Sequence, residues 1–374
     1  ANGPDNRIDW NVLSIIAVHD HVMHTGDTEL AALQFERLLS THLNLTLISN
    51  QSGLVEGIEA LVDWPGNLQD GYVSSHASTI SSAWMYYGAT TLAKTARILG
   101  RSADAINLES MASRLKAAMN SKQWNGSAFC DGICAITPHT AFHSTMYALA
   151  FGCVNQANMM KAWEYLRTRA DPTGNGLPCG SYPAQFALAA LYANAGDHGA
   201  TALKVLTSTA RNSWVSMLRQ NATMTMEVWD PAEKGNLDWS HPWSSSPAFV
   251  VPWYLFGIRP LLPGFAKVEI QPQPGDLKSG SYMLPSIHGP ITVSFEQETT
   301  GTRFALHVSL PASVSADVSM PLPMQQSQSI SQPTLPVRVN NQVIIVPIQN
   351  YFAVVGNIGP GGFHTLLLES VIIV

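Results

Sequence analysis

Charge is scarce in this chain. Asp, Glu, Lys and Arg make up 12% of its 374 residues, against roughly 25% in an ordinary soluble domain. Lys and Arg number only 20 and the formal net charge is −6. No basic run occurs, so the electrostatic footprint of a nucleic-acid binder is missing. The same lack argues against an anionic membrane surface. Long apolar runs are missing too. AFVVPWYLFGI, one of the longest, falls well short of the roughly 20 residues that cross a bilayer. There is no G-x-S-x-G, no P-loop, no G-x-G-x-x-G after a strand and no H-E-x-x-H, so lipase, nucleotide, dinucleotide and zinc-protease readings lose their usual support. His19, His21 and His24 do not all share a face of the first helix and read as structural. No metal and no cofactor is expected.

Cysteine is sparse as well, and it is clustered. The four residues Cys130, Cys134, Cys153 and Cys179 show no C-x-x-C spacing and no histidine at zinc-finger distance. Two local disulfides, Cys130–Cys134 and Cys153–Cys179, are favoured because each closes a nearby loop, although four cysteines allow three pairings. N-x-S/T triplets at Asn44, Asn50, Asn125 and Asn221 are candidate glycosylation sites. Together with the even cysteine count they lead to the expectation of a secreted, extracellular protein.

Hydrophobic residues are abundant, at 46%, and their period divides the chain. From residue 10 to about 257, apolar residues recur at three- and four-residue spacing, as in Leu108, Met111, Leu115 and Met119. About ten helices are predicted, joined mostly by short loops. Paired antiparallel helices in a double-layered barrel would bury their several apolar faces; a solenoid would fit the same count. After Gly257 the period becomes two, with Phe304, Leu306, Val308 and Leu310 on alternate positions. SVSADVSM, QVIIVPI and FHTLLLESVIIV are likewise strand-like. The expected division is a helical domain over 1–257 and an antiparallel β-sandwich over 258–374.

Two long loops concentrate aromatics beside carboxylates. The first, EALVDWPGNLQDGY, holds Asp63, Trp64, Asp70 and Tyr72. The second, NATMTMEVWDPAEKGNLDWSHPW, holds Glu227, Trp229, Trp239, His241 and Trp243. An indole covers the apolar face of a sugar ring, while carboxylate and imidazole take hydroxyls or activate a water. Glu227 is the candidate general base. Asp63, Trp64, Asp70, His143, Trp229, Trp239 and His241 are the candidate substrate-binding residues. The competing reading of these segments is a Trp-rich core loop with aspartates capping turns.

Four segments resemble the family 78 glycoside hydrolases, the α-L-rhamnosidases. They are IDWNVLSIIAVHDHVMHTGD, ALVDWPGNLQDGY, ATMTMEVWDPAEKGNLDWSHPWSSSPAFVVP and FGIRPLLPGFAKVEIQPQPGDL, in matching order and spacing. The resemblance covers the C-terminal two-thirds of such a protein. It implies an (α/α)6 barrel, possibly incomplete here, and an inverting hydrolase releasing terminal α-linked L-rhamnose from glycosides or polysaccharides. Glu227 stands at the position of the catalytic base and His241 at that of a histidine approaching the sugar. The usual Trp before the base is Met226 here. The family's general acid, a Glu in an acidic, aromatic segment ending in Gly-Asp, has no counterpart before Asn11. An upstream polypeptide from the same precursor is therefore expected to supply it. The alternative is a noncatalytic rhamnose- or carbohydrate-binding relative or subunit. Within the chain, Asp70 and then Glu56 would be the substitutes for the acid.

Overall fold

The computed structural model describes residues 7–298, 303–322 and 334–369. The chain divides into two compact units. One draws on the chain up to His21, Thr28–Ala193 and Lys204–Pro247; the other draws on Val22–Asp27, Asn194–Leu203 and the chain from Ala248 onward. Ten α-helices come first: α1 (Ile8–Thr25), α2 (Glu29–Arg37), α3 (Thr79–Ile98), α4 (Ser102–Lys122), α5 (Phe142–Ala150), α6 (Met159–Arg169), α7 (Ala184–Leu191), α8 (Ala200–Leu206), α9 (Trp214–Arg219) and α10 (Pro247–Val250). Among the described residues no helix is long and apolar enough to cross a membrane.

Local chemistry sets the limits of these helices. The Ser78 side chain accepts from the Ser81 amide and starts α3. Gly100, at φ +74°, follows its end, where a left-handed residue stops a helix. In α4 the buried residues Ala105, Leu108, Met111, Ala112, Leu115 and Met119 form the predicted single stripe. Helix α3 instead is buried around most of its circumference and is built from small residues such as Ser81, Ala83, Gly88 and Ala89. A Cβ on Gly88 would come within 2.9 Å of both Val12 and Leu43, so neighbouring chain approaches α3 closely there. Trp84 packs its ring against Tyr147, Phe151 and Phe186, with centroids 4.8–5.7 Å apart, and joins α3 to the α5–α7 region.

One expected disulfide is present and the other is not. Cys130 and Cys134 are bonded. Cys153 and Cys179, expected to pair, are instead separate buried thiols. Different partners hold their backbones: Asn120 donates to the Cys153 carbonyl, and the Trp229 indole to that of Cys179. Burial pushes both thiols well above the ordinary cysteine range.

The second unit corrects the β-sandwich. Its strands are β1 (Ile258–Pro260), β2 (Lys267–Ile270), β3 (Ser279–Ser286), β4 (Gly289–Gln297), β5 (Arg303–Leu310), β6 (Ser315–Pro321), β7 (Thr334–Val339), β8 (Gln342–Gln349), β9 (Phe352–Ile358) and β10 (Gly362–Glu369). They form one hydrogen-bonded sheet in the order β1-β2-β6-β9-β8-β7-β10-β5-β4-β3, not two. Strand β8 makes the sheet continuous, because it pairs with β7 on one side and β9 on the other. The β2–β6 pair is parallel, so the sheet is not wholly antiparallel either. Inward residues from opposite ends of this order share one core. Val268, Ile270, Ala316 and Val318 meet Ile291, Val293, Phe295 and Leu306 there. A sheet whose two ends bury the same core must curl, and the result is a nearly closed barrel. A bulge between Val318 and Ser319 supplies part of the bend. Of the expected last strand, residues 370–374 lie outside the described residues.

Candidate active site

Within the first unit, a cavity of about 380 Å³ is lined by Arg7, Trp10, Leu61, Trp64, Glu227, Lys234 and Trp243. Three indoles form its walls, and Glu227 is the sole carboxylate among these lining residues. Arg7 just before α1 and Trp10 in its first turn line one side, the loop before α3 supplies Leu61 and Trp64, and the long loop between α9 and α10 supplies the rest.

Buried hydrogen bonds hold both loops. Asp9 accepts from the Leu61 amide at 3.1 Å and from the Tyr182 hydroxyl at 3.1 Å. Asp63 accepts from the Trp64 amide at 2.6 Å and the Gly180 amide at 2.7 Å, and stands 2.6 Å from His143 Nε2. Two interior carboxyl groups thus fix the backbone on either side of the short segment that presents Leu61 and Trp64. Burial raises the pKa of both, against the hydrogen bonds that favour their charged forms.

The Glu227 loop is clamped in a similar way. The Glu227 amide donates to the Asp238 carbonyl at 2.9 Å and the His241 amide to that of Thr225 at 2.7 Å. The Thr225 hydroxyl donates to the His241 carbonyl at 2.9 Å. Ser181 donates to the Glu227 carbonyl at 2.5 Å, and Ser244 donates to the Met226 carbonyl. The Glu227 side chain meets Lys234 Nζ at 2.7 Å through Oε1 and 2.6 Å through Oε2, and Oε2 also accepts from the Asp238 amide at 3.1 Å. Burial disfavours the charged form of Glu227, yet Lys234, the Asp238 amide and nearby His241 together outweigh it. The carboxyl is held below its ordinary value and stays ionised.

The candidate residues separate into distinct environments. Glu227 and Trp64 share the cavity. His241 lies beside it: its Nδ1 accepts from the Trp243 amide at 3.2 Å, and the two rings meet edge to face at 4.6 Å. Asp63 and His143 are fully buried and act on the loops rather than lining the cavity. Asp70 accepts from the Phe142 amide at the start of α5 and from Arg169. Trp229 is an interior residue, packed edge to face on Trp214. Trp239 is exposed and outside the lining set. Glu56 lies 3.7 Å from His76 and does not line the cavity either.

Arg7, Trp10, Leu61 and Lys234 were not expected at the site. Lys234 carries a signal in hindsight, being the sole Lys or Arg between Arg219 and Arg259. Leu61 and Trp10 carry none, because an apolar residue in a loop or a helix start reads as core. Among the described residues no cluster of His, Cys, Asp and Glu could hold a metal ion. The arrangement suits a neutral ring compound held between indoles, with an ionised carboxylate at one side.

The chain is similar to known proteins along its length. The bacterial alpha-L-rhamnosidase 6 hairpin glycosidase domain matches residues 2–254, and the bacterial alpha-L-rhamnosidase C-terminal domain matches residues 257–334. No protein of curated function matches. Among solved structures, the α-L-rhamnosidase of Dictyoglumus thermophilum is 18% identical with a TM-score of 0.74, over 96% of this chain and 39% of that one. The Streptomyces avermitilis α-L-rhamnosidase complexed with L-rhamnose is 21% identical with a TM-score of 0.70, over 93% and 32%. The Aspergillus terreus enzyme is 15% identical with a TM-score of 0.67, over 95% and 38%. This chain thus spans less than two-fifths of the length of each, not the expected two-thirds. These identities speak to the fold alone, whereas the two family domains together match most of the sequence, and the chain belongs to the α-L-rhamnosidase family of glycoside hydrolases, family 78.

Proposed function

We propose that this chain carries the water-activating half of an inverting α-L-rhamnosidase, with Glu227 as general base. The observation behind this reading is a single ionised carboxylate in an indole-walled cavity, on a chain of rhamnosidase family. Glu227 would hold a water against the anomeric carbon while Trp10, Trp64 and Trp243 cover the apolar faces of the sugar. His241 would take a hydroxyl. Inversion requires a second carboxyl group about 6.5–9.5 Å away to protonate the departing oxygen. Among the described residues no other carboxylate lines the cavity, and in this reading the acid comes from an upstream polypeptide. The substrate would be a glycoside or polysaccharide with terminal α-linked L-rhamnose. Exposed Asn50, Asn125 and Asn221 suit glycosylation and an extracellular location; Asn44 is half-buried. A mass shift on deglycosylation of the native protein would check this.

An aryl α-L-rhamnoside with a good leaving group needs little help from the acid, so it reports on the base. Glu227→Gln should lower turnover by roughly two to four orders of magnitude, while thermal unfolding and rhamnose binding persist. The first product anomer, followed by proton NMR, should be inverted. Near-normal turnover in E227Q would exclude Glu227 as the base. The noncatalytic, sugar-binding reading draws on the Lys234 contact, which occupies both Glu227 oxygens. Rhamnose binding with no turnover, even with the upstream segment restored, would favour it.

A further inference from the structure

Among the described residues, the only side chain placed against both Glu227 oxygens is that of Lys234. The approach is built by the chain. The Asp230 carboxylate accepts from the Ala232 amide at 2.9 Å and starts the tight turn Pro231–Glu233, after which Lys234 is extended. The acidic side chains of that turn face elsewhere. Asp230 and Glu233 stand 3.7 and 3.8 Å from Arg211. Lys234 is thereby directed to Glu227, with its side chain 21% exposed and that of Glu227 9% exposed.

A carboxylate offers about four acceptor directions. The ammonium, at 2.7 and 2.6 Å, takes one on each oxygen, and the Asp238 amide takes a second on Oε2. We propose that Lys234 is a positioning residue for Glu227, and that with the Asp238 amide it leaves one acceptor direction, on Oε1, for a water. This rests on the reading of Glu227 as a base. The contact fixes which oxygen receives the proton and keeps the carboxylate from rotating. It also makes Glu227 a weaker base that stays ionised further into acid. The other titratable and charged groups around Glu227 are His241 and Asp238 on its own loop and Arg7 across the cavity.

The test is a titration of the Glu227 carboxyl in the 374-residue chain by carbon NMR with labelled glutamate, assigned by its loss in E227Q. A pH profile of aryl α-L-rhamnoside hydrolysis runs in parallel. In the wild type the midpoint should lie below the ordinary glutamate value. In Lys234→Gln it should rise by about one unit or more, and the acid limb of kcat/KM should move up with it. Lys234→Arg, which keeps the charge, should restore the low midpoint. Lys234→Met is a second neutral variant if the first fails to fold by circular dichroism. A wild-type midpoint at or above the ordinary value would overturn the proposal without any variant, as would an unmoved midpoint in K234Q. A moved midpoint without hydrolysis in any form would overturn the catalytic reading of Glu227 while supporting the Lys234 contact. Full hydrolysis with an unmoved midpoint would do the reverse.

Discussion

Asp63 accepts two backbone hydrogen bonds and faces a histidine without any contact with solvent. Removing one member of such a buried set strands the others, at a cost of about 3–5 kcal/mol. Asp63→Ala should therefore destabilise the first unit by that amount in urea unfolding, and it should loosen the loop that presents Trp64. A loss under about 1 kcal/mol would show that the loop holds without it. Trp64 is the opposite case, 42% exposed at the cavity. Trp64→Ala should leave stability within about 0.5 kcal/mol but weaken rhamnose binding by about 1 kcal/mol, read by calorimetry. Equal affinity in both proteins would remove Trp64 from the sugar site.

Among the elements, the passage from the last helix to β1 depends on Gly257. Its φ is +68°, and a Cβ there would stand 2.1 Å from the backbone carbonyl carbon and oxygen of Gln271. The Gln271 amide in turn donates to the Gly257 carbonyl at 3.0 Å. Ala at this position meets both backbone strain and an immovable neighbour. Gly257→Ala should cost the second unit about 3 kcal/mol or more, seen as a lower unfolding midpoint. The helices themselves were legible because caps and 3.6-residue stripes are local: about ten were expected, and ten α-helices stand among the described residues. Strands β5, β6, β8 and β10 were legible from their alternating residues, whereas the others were not singled out. How the strands join was not legible, since a period of two marks the buried face but is silent on which strand lies beside which.

For the whole molecule, buried His198 and half-buried His19 contribute to the response to acid. Burial lowers His198 to about 4, and burial with Lys94 nearby lowers His19 to about 4. Neither ring nitrogen of His198 has a hydrogen-bond partner among the described residues. In the unfolded chain each imidazole takes a proton near pH 6.5, but in the native protein only near pH 4. Stability must therefore fall as pH drops through that window, by about 3 kcal/mol for His198. Asp9 and Asp63 act with the opposite sign, because burial raises them and acid relieves their charge. A single-site comparison separates the effects. His198→Asn, which tolerates the residue's φ of +48°, should flatten the fall in second-unit stability between pH 6.5 and 4. An unchanged slope would remove His198 as its source.

From its residues alone the chain announces about ten helices, the change to strands after Gly257 and the placing of Glu227 in a Trp-rich loop. All of these are readable within a few turns of chain, where spacing and capping decide the outcome. Tertiary structure alone decided that Trp229 is interior, since its indole finds the Cys179 carbonyl, and that Cys153 and Cys179 stay apart. It alone brought Arg7, Leu61 and Trp243 to one cavity. It also curled ten strands around one core rather than stacking them as two sheets. The Lys234–Glu227 pair spans only seven residues, yet it too needed the folded turn at Pro231–Glu233 to aim the ammonium. Periodicity tells a residue which side is buried; only packing selects the partner that meets it there.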